Sequence, residues 1–271
     1  MPELPEVENT RLSLLPLKDS KIVSVYSDGK KLRQEIPKNL NKVVNSTVLD
    51  IKRKAKYLLF HLSNQKTIIA HLGMSGKFSY SQETNIAKHD HVILYFENMF
   101  NLKYNDPRRF GIFCLEDTAD VMQKFFSHMG VDAIEKEFTA DYLLNKVHKI
   151  SSNIKNTLLN QEIVAGIGNI YASEALFAAK INPKRDANSL SLIEAEVLVN
   201  AIKEILQKSI VLGGSTLKDY RKADGEAGDF QNHFLVYSKE NQPCRHDGCN
   251  GTIKKITQNG RSTFYCPLSQ K

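Results

Sequence analysis

The order of apolar patterns along the chain limits its fold more than any other feature: strand-like runs come first, helix-like runs follow, and cysteines close the sequence. After a short helical stretch at 6–15, runs rich in Val, Ile, Tyr and Phe occur at 21–27, 46–53, 57–62, 67–71, 92–97 and 110–115. Gly, Asn and Asp punctuate them, the pattern of strands that pack as face-to-face sheets. From 118 onward the spacing becomes helical, over 118–128, 139–149, 154–161, 169–179 and 190–210. The tail from about 235 returns to short strands around cysteines. Strands, then helices, then a small cysteine module describe an α+β protein, with no internal repeat and a junction near 130–150.

Composition narrows the partner. The 271 residues carry 37 Lys and Arg against 30 Asp and Glu, a formal net charge of +7. That balance favours a polyanion, and nucleic acid stands ahead of a membrane surface because no basic amphipathic helix or lipidation motif stands out. Glu3, Glu6 and Glu8 occupy the place where a secretory signal would carry basic and apolar residues, and no apolar span is long enough for a bilayer. A cytoplasmic protein is expected. In that reducing setting the cluster of Cys244, Cys249 and Cys266 argues for metal ligation rather than disulfides, whereas Cys114 lies in an apolar run and reads as core.

The first residues, Met1-Pro2-Glu3-Leu4-Pro5-Glu6, can supply a nucleophile. The small ring of Pro2 permits removal of Met1, which leaves a secondary amine. An α-amino group titrates near ~7.7–8, against about 10.4 for lysine, so an appreciable fraction is unprotonated at neutral pH without burial. Attack at a deoxyribose C1′ would expel the base and leave an iminium ion that acidifies the C2′ protons and invites elimination. Glu3, one residue away, can protonate the opening sugar and shuttle the proton back. Taken alone, the same residues also describe a turn leading into a helix.

Later motifs read as means of holding and opening a duplex. In Arg53-Lys54-Ala55-Lys56-Tyr57 a basic cluster runs into a buried-looking strand, where Lys56 can be held near a reaction centre or can simply blunt a sheet edge. His71-Leu72-Gly73-Met74-Ser75-Gly76 puts a slender methionine on a loop tip, a shape suited to entering a base stack. His89 and His91, at i and i+2, suit phosphate contact better than a metal pair because no third ligand stands nearby. Asp106-Pro107-Arg108-Arg109-Phe110-Gly111 combines guanidiniums that can pair with an orphaned base and a ring that can stack on it. Met74, Arg108 and Phe110 would together fill the void left by an extruded nucleotide.

In the helical half, Gly166-Ile167-Gly168-Asn169 reads as a glycine turn with Asn169 capping the next helix, an anion site approached by Lys155. The stretch Gly213-Gly214-Ser215-Thr216-Leu217-Lys218-Asp219-Tyr220 through Gln231 reads as a mobile loop that could cover a base.

Jointly, Pro-Glu-Leu-Pro-Glu-Val-Glu, Ala-Lys-Tyr-Leu-Leu at 55–59, His-Leu-Gly-Met-Ser-Gly, Asp-Pro-Arg-Arg-Phe-Gly, Gly-Ile-Gly-Asn-Ile-Tyr-Ala-Ser-Glu and Gly-Arg-Ser-Thr-Phe-Tyr-Cys-Pro resemble, over the whole chain, the bacterial formamidopyrimidine-DNA glycosylases. The resemblance implies a catalytic β-sandwich at 1–130, a hinge and the start of the helical part at 131–150, a helix-two-turn-helix domain at 151–234 and a zinc-finger β-hairpin at 235–271, with DNA in the cleft between. It implies removal of 8-oxoguanine and formamidopyrimidines from damaged double-stranded DNA by a monomer. Pro2 would be the Schiff-base nucleophile, Glu3 the acid, Lys56 the proton donor for β-elimination and Arg261 the donor for δ-elimination. His89, Arg108, Lys155 and Asn169 would hold DNA, and Met74, Arg108 and Phe110 would fill the void.

Zinc would be held by Cys244, Cys249 and Cys266, because Ser269 stands where the family has a fourth cysteine. Water or Ser269 is placed in the fourth position ahead of His246, which lies only two residues from Cys244. Two alternatives stay open: an endonuclease-VIII-like enzyme acting on oxidised pyrimidines, and a catalytically silent protein that binds damaged DNA.

Overall fold

The computed structural model describes residues 2–216, 221, 223 and 225–271. It divides into two compact units, 1–127 with 212–229, and 128–211 with 230–271. No described helix is long and apolar enough to cross a membrane.

The first unit opens with α1 (Leu4–Ser13) and continues as β1 (Ile22–Ser27), β2 (Val48–Lys54), β3 (Tyr57–Leu62), β4 (Lys66–His71), β5 (Lys77–Ser81), β6 (Asp90–Phe96), β7 (Asn101–Asn105) and β8 (Ile112–Asp117). Two four-stranded sheets result, ordered β1-β6-β7-β5 and β2-β3-β4-β8, antiparallel throughout. Aromatic rings join them. Phe60 and Phe113 from the second sheet meet Phe78 and Tyr104 from the first, with Phe60–Phe78 and Tyr104–Phe113 centroids both 5.7 Å apart.

Six strands lie within a few residues of the β-like runs in the sequence. The other two, β5 and β7, are short and largely polar. Strand β7 buries Asn101 and Lys103 because both bond to the loop between β5 and β6: Asn101 Nδ2 donates to the Glu83 carbonyl at 2.9 Å, and Lys103 Nζ to the Asn85 side chain at 3.1 Å.

The helix expected at 118–128 is replaced by a single π-type turn at Met122–Phe126. Val121 and Phe126, five residues apart, are the buried side chains here, and a widened turn brings that spacing to one side. Phe126 then packs edge-on against Tyr57 at 5.4 Å.

The second unit contains β9 (Val131–Asp132), α2 (Ala140–Val147), α3 (Ile154–Leu159), β10 (Val164–Ala165), α4 (Asn169–Ala178), α5 (Leu192–Val211), and the hairpin β11 (Lys254–Gln258) and β12 (Arg261–Tyr265). All four α-helices match the helical spacing of the sequence. Helix α4 is buried on nearly every face, packed on α3, α5 and β12. The hairpin turns at Asn259 and Gly260, both with positive φ, so Arg261 emerges at its exposed tip.

Candidate functional site

In the first unit Pro2 and Glu3 are buried at the start of α1. Glu3 caps the helix reciprocally with Glu6: the Glu3 side chain accepts from the Glu6 backbone, and the Glu3 N–H donates to Glu6 Oε2 at 2.9 Å. The other oxygen of Glu6 accepts from Ser215 N–H at 2.7 Å and Ser215 Oγ at 2.9 Å. Gly213 and Gly214 precede that serine at φ +80° and +81°. Gly214 packs so closely that an added Cβ would lie 3.1 Å from Glu6 Oε1. One buried carboxylate therefore fixes both the start of the chain and the glycine turn at 213–215.

Lys56 is buried in the two-residue turn between β2 and β3, where Ala55 takes φ +52°. The His71 ring packs tilted against Tyr57 at 4.7 Å, and its Nδ1 accepts from the Gly73 N–H at 2.9 Å. Burial, helped by the charges of Lys56 and Arg33, pushes the His71 imidazole down to about 4, so it is neutral at physiological pH.

The two loops carrying Met74 and Arg108 form one assembly. Buried Asp106 accepts from Ser75 Oγ at 2.6 Å and from Gly111 N–H at 2.8 Å, and the Arg108 N–H reaches Ser75 Oγ at 3.2 Å. Gly73, at φ +59°, comes so near that an added Cβ would lie 2.5 Å from the Phe110 backbone. A Cβ on Gly111 would overlap the Tyr104 hydroxyl. Above this locked base Met74 is 41% and Phe110 45% exposed, with the Arg108 guanidinium 4.8 Å over the Phe110 ring. An apolar wedge and a cation on an aromatic face are thus presented to solvent against the usual preference for burial.

His89 is half-buried just before β6. His91 is buried, with Nδ1 2.8 Å from Asp28 Oδ2 and Nε2 3.0 Å from the Asp106 carbonyl. Both of its nitrogens are occupied, which agrees with setting a metal pair aside.

In the second unit Lys155 is fully buried, and its ammonium donates to Asn169 Oδ1 at 2.7 Å, the Ser262 carbonyl at 3.0 Å and Thr263 Oγ1 at 2.6 Å. Asn169 Nδ2 donates to the same Ser262 carbonyl at 2.9 Å. The expected capping role of Asn169 is not what the structure shows. Gly168 occupies the N-cap and Asn169 is the first residue of α4, its side chain taken up by Lys155 and β12. Glu174 on the same helix accepts from the N–H groups of Leu235, Val236 and Tyr237 at 2.7–3.0 Å. Burial raises its pKa against those three donors.

Beyond that segment Cys244, Cys249 and Cys266 place their sulfurs within 4.8 Å of one another. Cys249 and Cys266 Sγ are 3.7 Å apart, close to the edge of about 3.8 Å for a tetrahedron with ~2.3 Å metal–sulfur bonds. Gly251 lets the backbone pass beneath them: a Cβ there would lie 2.6 Å from Cys266 Sγ and 3.2 Å from Cys249 Sγ. Burial alone would raise the Cys266 thiol, but hydrogen bonding from the Ser269 and Leu268 positions brings it down to about 7. These sulfurs can hold a metal ion.

Residues 1–113 match the formamidopyrimidine-DNA glycosylase N-terminal domain and residues 129–221 its H2TH domain. A formamidopyrimidine-DNA glycosylase of Wolbachia pipientis subsp. Culex pipiens is 43% identical, with both chains covered in full. The chain belongs to the formamidopyrimidine-DNA glycosylase family. Among solved structures, a Lactococcus lactis Fpg variant in complex with Fapy-dG-containing DNA superposes with a TM-score of 0.91, and the Lactococcus lactis Fpg with abasic-site DNA with 0.90. Each is 35% identical and covered throughout, as is this chain.

Within this family frame the structure brings Pro2, Glu3 and Lys56 into one unit, and Met74, Arg108 and Phe110 onto one platform in that unit. Lys155, Asn169 and the base of the Arg261 hairpin share the other. Sequence reasoning missed Glu6 and Ser215, and the glutamate three residues after Glu3 was the available signal, being the spacing of a reciprocal cap. Removal of Met1 and the residues Leu217–Tyr220 of the expected mobile loop lie outside the described residues.

Proposed function

We propose that this member of the family removes oxidised purines, 8-oxoguanine and formamidopyrimidines, from double-stranded DNA and then cleaves the strand by β,δ-elimination. A DNA glycosylase of base excision repair by family, it would work as a cytoplasmic monomer organised in the domains expected from sequence.

Once Met1 is removed, the Pro2 amine attacks C1′, the C1′–N bond breaks, and the base leaves with its bonding electrons. Glu3 protonates the ring oxygen as the sugar opens, giving the Pro2 iminium. Loss of a C2′ proton then expels the 3′ phosphate. Lys56 serves β-elimination and Arg261 δ-elimination. Met74, Arg108 and Phe110 occupy the gap left by the flipped nucleotide, offsetting an unstacking cost of a few kcal/mol. His89, Arg108, Lys155 and Asn169 hold the backbone. Lys155 does so by bracing Asn169, since its protons are directed at protein acceptors.

A structural zinc fits the three thiols and the Gly251 passage. It would fasten the hairpin that carries Arg261 and takes no part in proton transfer.

The observation that carries this reading is the burial of Pro2 and Glu3 at the start of α1, with Glu3 tied in a reciprocal cap to Glu6, which supports a nucleophile and an acid in fixed register. Borohydride trapping on DNA containing 8-oxoguanine tests it. A covalent cross-link through Pro2 is expected; binding without cross-linking would favour the silent DNA-binding alternative. Faster excision of oxidised pyrimidines than of 8-oxoguanine would favour the endonuclease-VIII-like one.

A further inference from the structure

The fourth vertex of the cysteine centre is where this chain departs from its relatives, and the residues around Ser269 show how it can be filled. Ser269 is half-buried, with Oγ 3.5 Å from Cys244 Sγ. A tetrahedral site with ~2.3 Å bonds to sulfur and about 2.0 Å to oxygen has a sulfur–oxygen edge of roughly 3.5 Å. It therefore stands beside Cys244 at the distance a ligand would take.

A serine oxygen is a weak ligand partly because its proton and lone pairs are free to turn. Here they are not free. His246 Nδ1 lies 2.9 Å from Ser269 Oγ, and the imidazole is stacked on Phe177 at 4.0 Å with planes 11° apart. In the tautomer protonated at Nε2, Nδ1 accepts the Ser269 O–H across that 2.9 Å. The Ser269 O–H then points at His246 and its lone pairs at the three sulfurs. His246 itself is 3.7 Å from Cys244 Sγ, but among the described residues the group of mutually close ligand atoms consists of the three sulfurs without it.

We propose that the metal centre is a Cys244–Cys249–Cys266–Ser269 site in which His246 is not a ligand but a positioning residue, accepting the Ser269 hydroxyl hydrogen bond and so aiming its oxygen at zinc. This rests on the zinc reading above. A second-sphere histidine takes over part of what a fourth thiolate would supply.

The test uses full-length protein purified without chelator, with zinc analysis, X-ray absorption at the zinc edge and competition against a chromophoric chelator. One zinc per chain is expected, with three sulfur neighbours, one oxygen neighbour and no outer-shell imidazole scattering. Ser269→Ala should lower zinc affinity at least tenfold and His246→Ala several-fold. In a Ser269→Cys background, His246→Ala should have no further effect, because a thiolate needs no proton to be steered away. That double-mutant comparison stays informative even if Ser269→Ala folds poorly.

Imidazole scattering in the wild type would overturn the assignment and make His246 the ligand. Unchanged affinity in Ser269→Ala would overturn it in favour of water. Equal losses from His246→Ala in both backgrounds would reduce His246 to packing. Protein without zinc would sink the zinc reading itself, an outcome distinguishable from these three.

Discussion

Glu3 and Glu6 lie on the same turn of α1 and both are buried, yet their bonding separates what each substitution should do. Glu3 accepts the Glu6 backbone N–H, a bond that the oxygen of a glutamine accepts equally well. Glu3→Gln should therefore leave stability nearly unchanged while base excision is lost, because an amide has no proton to pass to the opening sugar. Both oxygens of Glu6 face backbone N–H groups, those of Glu3 and Ser215. In Glu6→Gln the amide nitrogen must meet one of these donors, at a cost of about 1–3 kcal/mol. Urea unfolding alongside single-turnover excision should show destabilisation with slowed chemistry in Glu6→Gln, and lost chemistry alone in Glu3→Gln. Identical stability losses would contradict this division. His71 adds a pH dependence. Its pKa is depressed on folding, so its contribution is fully present above the unfolded value near 6.5 and is lost as pH falls from there toward about 4. Stability should drop by roughly 3 kcal/mol across that window, and His71→Asn, which can still accept the Gly73 N–H, should flatten the drop.

At the level of elements, the loops after β4 and after β7 act as one platform because Asp106 ties them together and Gly73 lets their backbones touch. Met74→Ala removes a wedge and no charge, so salt-dependent affinity should hold while excision from duplex DNA slows. Arg108→Ala should reduce both. Gly73→Ala should slow duplex excision more than Met74→Ala does, since an alanine at φ +59° is strained and its Cβ would push the Phe110 backbone away, displacing both tips. Equal affinity losses for Met74→Ala and Arg108→Ala would undo the separation of wedge from clamp. The loops themselves were legible, because Gly, Pro and Asp mark turns locally. Strands β5 and β7 were not: polar residues sit inside β7 by bonding to the loop between β5 and β6, and no single-strand pattern can show that. The π-type turn at Met122–Phe126 escaped for a similar reason, its form being set by what Phe126 packs against.

Across the whole molecule, the progression from strands to helices to cysteines is visible in sequence because apolar period and cysteine spacing are local properties. The return of 212–229 to the first unit is held by Glu6 meeting Ser215 from 209 residues away and by Ala223 bonding Ser13 and Tyr80, which no local pattern reveals. Nor does helical spacing disclose that Lys155 and Glu174 act as internal rivets, although both residues lay within motifs that were readable. Lys155 joins α3, the start of α4 and β12, while Glu174 joins α4 to the segment leading into the cysteine centre. These bonds all lie within the second unit, so loosening of the metal centre should spread along them and stop there. Chelation of zinc from the full-length protein is expected to expose the amides of β11 and β12 first, then those of Leu235–Tyr237 and the first turn of α4. Strands β2, β3 and β4 in the other unit should keep their protection. Hydrogen exchange followed by mass spectrometry reads each segment separately. Lys155→Met should produce the same pattern in zinc-loaded protein, because removing the ammonium takes the buried donor from Asn169 Oδ1 and Thr263 Oγ1. If chelation instead deprotected both units together, zinc would stabilise the protein as a single cooperative whole, and the internal bonds of Lys155 and Glu174 would not be what confines its effect.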